Sequence, residues 1–241
     1  MTATAAPEGA APRRSKRRRR LRLLANVLIV VGALVLADAA LALLWKEPLS
    51  SLYTHVEQGR LQHRLAQFEQ APLAPVERRA ISRLRDDKQR LAFAARAFAR
   101  RTNAGDPLGR IRVPSAGVDD VMVEGTNAGD LSKGPGHYPA TPLPGQRGTV
   151  GIAGHRTTYG APFRHLDAVR PGDRIQLSMP YGVFDYRVER TRIVPPTAVW
   201  VTDRVSYDRL ILSACHPLYS AAQRIVVFAR LVRARPRGAA A

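Results

Sequence analysis

The chain of 241 residues carries 38 Lys and Arg against 19 Asp and Glu, a formal net charge of +19, and a single cysteine. One cysteine excludes a structural disulfide within the chain. The charge invites a nucleic-acid reading, but eight basic residues fall between Arg13 and Arg22 and the remaining arginines are scattered from Arg60 to Arg237 with no RNA-binding signature or interleaved aromatics, so no nucleic-acid partner is expected. Anionic cell-wall polymers or lipid head groups suit that charge better.

Residues 1–22 form a basic tail ending in "RRSKRRRRLR", and residues 23–45 read "LLANVLIVVGALVLADAALALLW". This nearly uncharged run is long enough to cross a hydrocarbon core of roughly 30 Å as a helix. The basic cluster keeps the amino terminus in the cytoplasm and places the chain after Trp45, which suits an interfacial anchor, outside the cell. Asp38 is costly in lipid, about 2.5 to 3.5 kcal/mol, and "ADA" at 37–39 satisfies the cleavage rule of a secretory signal. The apolar run continues past that site, so a single-pass membrane anchor is the expectation; with either outcome the remainder is exported.

Residues 46–105 predict helices. Apolar residues recur at Leu61, Leu65 and Phe68 and again at Ile81, Leu84, Leu91, Ala95 and Phe98, with "APLAP" (71–75) breaking the pattern between them. The segment is expected to be an amphipathic stalk between membrane and domain, without chemistry of its own.

From residue 106 to 235 the texture is β. Short runs rich in β-branched residues at 109–125, 148–155, 173–180, 182–194, 209–215 and 224–232 are separated by Gly, Pro and Asp turns. Closely spaced strands without regular intervening helices predict a mainly β domain closed into a barrel, with short helices near 128–134 and 163–169. Residues 236–241 are expected to be a disordered tail.

The lone Cys215 ends the strand "RLILSAC", and Arg224 opens the next one, nine positions on. A cysteine that attacks an acyl carbon needs a proton-transfer partner and a cation or N–H donors for the oxyanion. A hairpin-like turn would return Arg224 beside the sulfur. Of the six histidines, His55 and His63 belong to the helical segment, while His155 closes the small-residue strand "GTVGIAG" and opens the polar loop "RTTYGAPF", which makes it the first choice for proton transfer. His216 neighbours Cys215, but adjacent residues of an extended chain face opposite sides.

"GIAGHRTTYGAPF" (151–163) and "LSACHPLYSAAQRIVV" (212–227), in this order and spacing, resemble the sortases, cell-wall transpeptidases of Gram-positive bacteria, and most closely the class E housekeeping group of actinobacteria. The resemblance implies an eight-stranded β-barrel, a membrane anchor, and a catalytic set of His155, Cys215 and Arg224. It implies cleavage of an LPxTG- or LAxTG-type sorting signal between Thr and Gly through a thioacyl intermediate on Cys215. A peptidoglycan-precursor amine, as on a lipid II-like molecule, or a pilin lysine resolves that intermediate. The partners are thus surface proteins carrying such a signal, and no cofactor is implied.

The family's TLxTC consensus reads "ILSAC" here, with Ile211 and Ala214 in place of threonines. Ala214 and His216 remain candidate substrate contacts, and Tyr159 resembles a class E feature associated with the second residue of the signal. Asp119 and Asp120 resemble the acidic calcium site of some sortases, but two adjacent carboxylates offer too few oxygen ligands, and no metal is expected. A sortase-fold protease, a pilin polymerase and a non-catalytic envelope scaffold are the alternatives.

Overall fold

The structure, a computed structural model, describes residues 13–44, 48–70 and 74–238. It divides into two compact units, Met1–Trp45 and Lys46–Ala241. In the first, helix α1 (Arg13–Leu44) contains a stretch, Arg18–Ala37, with a mean hydropathy of 2.0, long and apolar enough to cross a membrane. The helix begins inside the basic cluster rather than after it, because Arg and Lys are themselves good helix formers. It runs unbroken through the small-residue run at 37–39. Trp45 lies outside the described residues.

In the second unit eight strands close into a barrel. They are β1 (Pro107–Val113), β2 (Val118–Glu124), β3 (Gly136–His137), β4 (Thr149–Ala153), β5 (Arg174–Met179), β6 (Gly182–Val194), β7 (Arg209–His216) and β8 (Gln223–Pro236), in the order β1-β2-β3-β4-β7-β8-β6-β5. The β2–β3 and β4–β7 pairs are parallel and the others antiparallel, with β5 returning to β1. Period-two alternation sets the two faces: Ile175, Leu177 and Met179 of β5 are buried between the more exposed Arg174, Gln176 and Ser178. The interior packs Ile111, Ile175, Phe184, Tyr186, Leu212 and Val227 into one core.

Two short elements lie where helices are expected: the one-turn helix α5 (Ala128–Leu131) and a 3-10 turn at Leu166–Ala168. Asn127 caps α5, its side chain accepting from the N–H of Asp130. Strand β3 was not foreseen. It has two residues and no apolar run, and its Gly136 sits so close to the main chain of Gly125 that a Cβ would come within 2.2 Å of that carbonyl.

The expected stalk does not stand apart. Helices α2 (Pro48–Gln70), α3 (Pro75–Ser82) and α4 (Asp87–Ala99) belong to the same compact unit as the barrel. Leu61 and Leu65 of α2 pack with Val121 and Val123 of β2, while Ile81, Leu91, Ala94, Ala95 and Phe98 join the main core. The apolar stripe is therefore covered by the barrel and by the neighbouring helices, Phe68 of α2 meeting Phe98 of α4 edge-on at 5.8 Å. Gly145 and Gly182 make room for Leu91, since a Cβ on either would meet its side chain or backbone at 3.3 and 2.6 Å.

Gln58 explains why α2 sits on β2. Strand β3 pairs with β2 only at Val123 and Glu124, leaving the main chain of Val121 unpaired on that side. The Gln58 amide takes the place of a strand: Oε1 accepts from Val121 N–H at 2.7 Å and Nε2 donates to Val121 O at 2.9 Å and Lys133 O at 2.8 Å. Replacing Gln58 by Ala orphans these buried groups and is expected to cost about 1–3 kcal/mol in a denaturant titration. The exposed Gln62→Ala control should stay within about 0.5 kcal/mol.

The carboxyl terminus departs from expectation too. Pro236 still pairs with Gly182, Arg237 N–H donates to Tyr181 O at 3.1 Å, and the Arg237 side chain pairs with Glu69, so order extends through residue 238. Residues 239–241 lie outside the described residues.

Candidate active site

The site is built on the outer face of β4, β7 and β8. On β7, Leu210, Leu212 and Ala214 lie in the barrel core, whereas Ile211 joins Val194, Val226 and Phe228 in a separate cluster outside it. By this alternation Cys215 faces outward. On β8, Ile225 and Val227 are interior and Val226 and Phe228 exterior, so Arg224 faces outward as well. The register pairs Cys215 directly with Arg224 across the antiparallel ladder. Opposed residues of such a pair share a face, with Cα atoms about 4.5–5.5 Å apart.

Strand β4 delivers the histidine. It runs parallel to β7 with Ala153 level with Ser213, and Gly154 N–H donates to Ser213 O at 3.0 Å. Two residues further along each chain lie His155 and Cys215. Gly154 is required here because a Cβ would stand 2.7 Å from the Phe163 ring, which is fully buried beneath the loop. The loop turns back on itself through Phe163 N–H donating to His155 O at 3.0 Å.

His155 is half-buried, and burial pushes its imidazole below the ordinary histidine range, favouring the neutral ring. Its Nε2 is buried without a hydrogen-bond partner. Tyr159, with φ of 51°, brings its ring to 5.1 Å from the imidazole at an interplanar angle of 37°. Cys215 is a free thiol of intermediate exposure. Arg224 Nη1 donates to the carbonyls of Ala221 and Gln223, each at 2.9 Å, which fixes the guanidinium at the start of β8.

The other sequence candidates separate. Ala214 is 3% exposed inside the barrel, on the face away from Cys215, so its side chain is not available as a substrate contact. The parity of Leu210 and Leu212 was the signal that would have placed it there. His216 turns from the sulfur and receives a 2.8 Å hydrogen bond at Nδ1 from Arg156. Asp119 lies between Arg110 Nη1 at 2.7 Å and Arg112 Nε at 3.1 Å. Burial alone would raise its pKa; the two arginines more than offset this and hold it below the usual carboxylate range.

Several residues near the site carry no sequence signal. Tyr138 lies over Gly151, and its hydroxyl meets Ser213 Oγ at 2.8 Å, two residues before the sulfur. From α2, Ser50 Oγ accepts from Tyr159 N–H at 3.2 Å, and the Tyr53 ring stands edge-on to Tyr159 at 6.5 Å. Arg156, next to His155, is only 3% exposed. A cavity of about 360 Å³ between α2 and Asp119, Asp120 and Gly160 contains none of the three candidate catalytic residues. Cys215 and Arg224 are partly exposed on the outer face of the sheet, whereas Nε2 of His155 is buried.

The barrel and its sequence match known proteins. The sortase domain family model matches residues 111–232, half of the chain, and the chain belongs to the sortase family. Sortase D of Bacillus subtilis is 32% identical over 133 residues, covering 53% of this chain and 65% of the relative. Sortase E1 of Streptomyces coelicolor is 29% identical over 149 residues, covering 55% of this chain and 42% of the relative. The chain thus spans less than two thirds of the length of these curated relatives. Among solved structures, sortase E from Streptomyces avermitilis is 32% identical with a TM-score of 0.50, covering 56% of this chain and 93% of that one. The crystal structure of Streptomyces coelicolor sortase E1 with a tripeptide in its active site is 28% identical with a TM-score of 0.52, covering 55% and 92%.

Proposed function

We propose that this protein is a membrane-anchored cysteine transpeptidase. In this reading it cleaves an LAxTG- or LPxTG-type sorting signal between Thr and Gly and transfers the new carboxyl end to an amine of a cell-wall precursor. The observation that carries the reading is the register of Cys215 against Arg224 on the outer face, with His155 leaving the parallel strand at the same level. The tripeptide in the active site of Streptomyces coelicolor sortase E1 supports a peptide as the ligand of this face. The span Arg18–Ala37 supports an anchor, with the basic amino terminus in the cytoplasm and the barrel outside.

The chemistry follows from the residue types. The Cys215 thiolate attacks the Thr carbonyl carbon, and the oxyanion that forms is stabilised by the Arg224 guanidinium and main-chain N–H groups. Collapse breaks the Thr–Gly bond as imidazolium at His155 gives its proton to the departing Gly nitrogen, leaving a thioester and a neutral ring. The incoming amine attacks the thioester, His155 takes its proton, and the thiolate departs. Nε2 of His155 is buried and has no hydrogen-bond partner within the protein, so no neighbouring group holds its proton.

Incubating the detergent-solubilised full chain with an LAxTG peptide and a small amine tests the reading. A new amide between Thr and the amine is expected; hydrolysis alone would make the protein a protease, and no reaction would reject catalysis on this substrate.

Burial of His155 also sets the pH dependence. Its folded pKa lies below the unfolded value of about 6.5, so stability associated with this ring is complete above about pH 6.5 and declines as pH falls through the folded pKa. The acid limb of kcat/KM is expected at a midpoint below about 6.5 for the same reason. Tyr159→Ala, by admitting water to the imidazole, should move that midpoint upward; an unmoved profile would show that Tyr159 does not shield the ring.

A further inference from the structure

Resting on the transpeptidase reading, we propose that Arg156 is a positioning residue: its buried guanidinium locks the strand end bearing Cys215 to the loop bearing His155 and fixes how imidazole meets sulfur. The two segments need such a lock. The β4–β7 ladder ends with the bond from Gly154 N–H to Ser213 O, and past it no main-chain hydrogen bond joins them among the described residues. The catalytic groups project from the stretch just beyond.

Arg156 bridges that stretch with its side chain. On the strand side Nη1 donates to His216 Nδ1 at 2.8 Å and reaches toward Cys215 O at 3.5 Å. On the loop side Nε donates to Arg164 O at 3.3 Å, and Nη2 pairs with Asp167 Oδ1 at 3.1 Å. The Arg156 side chain is 2% exposed, whereas the Asp167 side chain is 57% exposed, so a nearly buried cation is only partly neutralised by its carboxylate. Such burial is costly. The planar fork, which lysine lacks, is what serves four acceptors on two segments at once.

The contact with His216 couples directly to the sulfur. A guanidinium only donates, so Nδ1 of His216 is the acceptor and the ring is held in one orientation. His216 and Cys215 face opposite sides of one strand end. Any twist that pulls the ring from Arg156 re-aims the thiol. Displacement of reacting groups by about 1 Å costs on the order of 10²-fold in rate.

In the full chain, Arg156→Gln is expected to lower kcat about 10- to 100-fold with KM changed less than about threefold, and Arg156→Lys to recover part of the loss. Alkylation of Cys215 by iodoacetamide, which needs no proton from His155, should change less than about threefold. In a double-mutant cycle with His216→Ala, the second substitution should add little to the loss in kcat. Asp167→Asn, which leaves the arginine in place, gives a milder version of the same kcat effect should Arg156→Gln fail to fold. Unchanged kcat in the folded Gln and Lys variants, or full additivity with His216→Ala, would overturn the positioning role while leaving the transpeptidase reading intact. Absence of turnover in the unsubstituted chain would overturn both.

Discussion

Cys215→Ala is expected to abolish cleavage and transfer of the sorting peptide, a loss of about 10⁴-fold or more, while leaving stability within about 0.5 kcal/mol. Both halves follow from where the sulfur stands. It faces outward at the end of β7, outside the core that Leu210, Leu212 and Ala214 fill, so removing it opens no cavity. It is also the only thiol in the chain, so no neighbour can substitute for it. Intact-mass spectrometry should trap a thioacyl adduct on the unsubstituted chain when the amine is withheld, and none on the variant. His155→Ala should cost nearly as much, and the double variant little more than either single one, because nucleophile and proton donor act in one step. Peptide cleavage that persists in Cys215→Ala would remove the nucleophile assignment.

The barrel was legible in the sequence because alternation and turn residues act locally. Strand β5 sets apolar residues at every second position, and β8 carries a continuous apolar run from Ile225 to Ala229, rich in β-branched residues; both patterns read as strand. The pairing of Cys215 with Arg224 was legible for a related reason: a strand end followed by a turn fixes where the next residue projects, and the two lie at two ends of one hairpin. What the sequence could not reveal is contact between segments distant along the chain. Leu61, Leu65 and Leu91 announce a buried stripe but not the surface that covers it, and the barrel rather than solvent-spanning stalk packing resulted. Gln58 carries no apolar signal at all, since its role is to supply the hydrogen bonds that the short β3 does not reach. Arg156 reads as a loop cation in a basic protein; only the fold brings Arg164, Asp167 and His216 around it.

Arg224→Ala is expected to lower kcat by about 10²–10³-fold with a much smaller effect on KM, as for loss of an oxyanion donor elsewhere. Relatives with a threonine before the cysteine prompt the question whether a hydroxyl could share that task. Position 214 answers it here, because its side chain lies inside the barrel while the sulfur lies outside, and a hydroxyl there would be turned from the reacting carbonyl. In the proposed reaction the charge that develops on oxygen is then left to main-chain N–H groups and to Arg224. That arginine is suited to meet it: Nη1 is committed to Ala221 O and Gln223 O, so the guanidinium is held, while Nε and Nη2 make no hydrogen bond among the described residues. A donor already fixed in place costs no reorganisation when charge appears. Arg224→Lys keeps the charge but loses the anchored fork, so its kcat should fall between those of the unsubstituted and alanine forms. Single-turnover acylation monitored by release of the Gly-containing fragment isolates the step; equal acylation rates in the three forms would remove the arginine from oxyanion stabilisation.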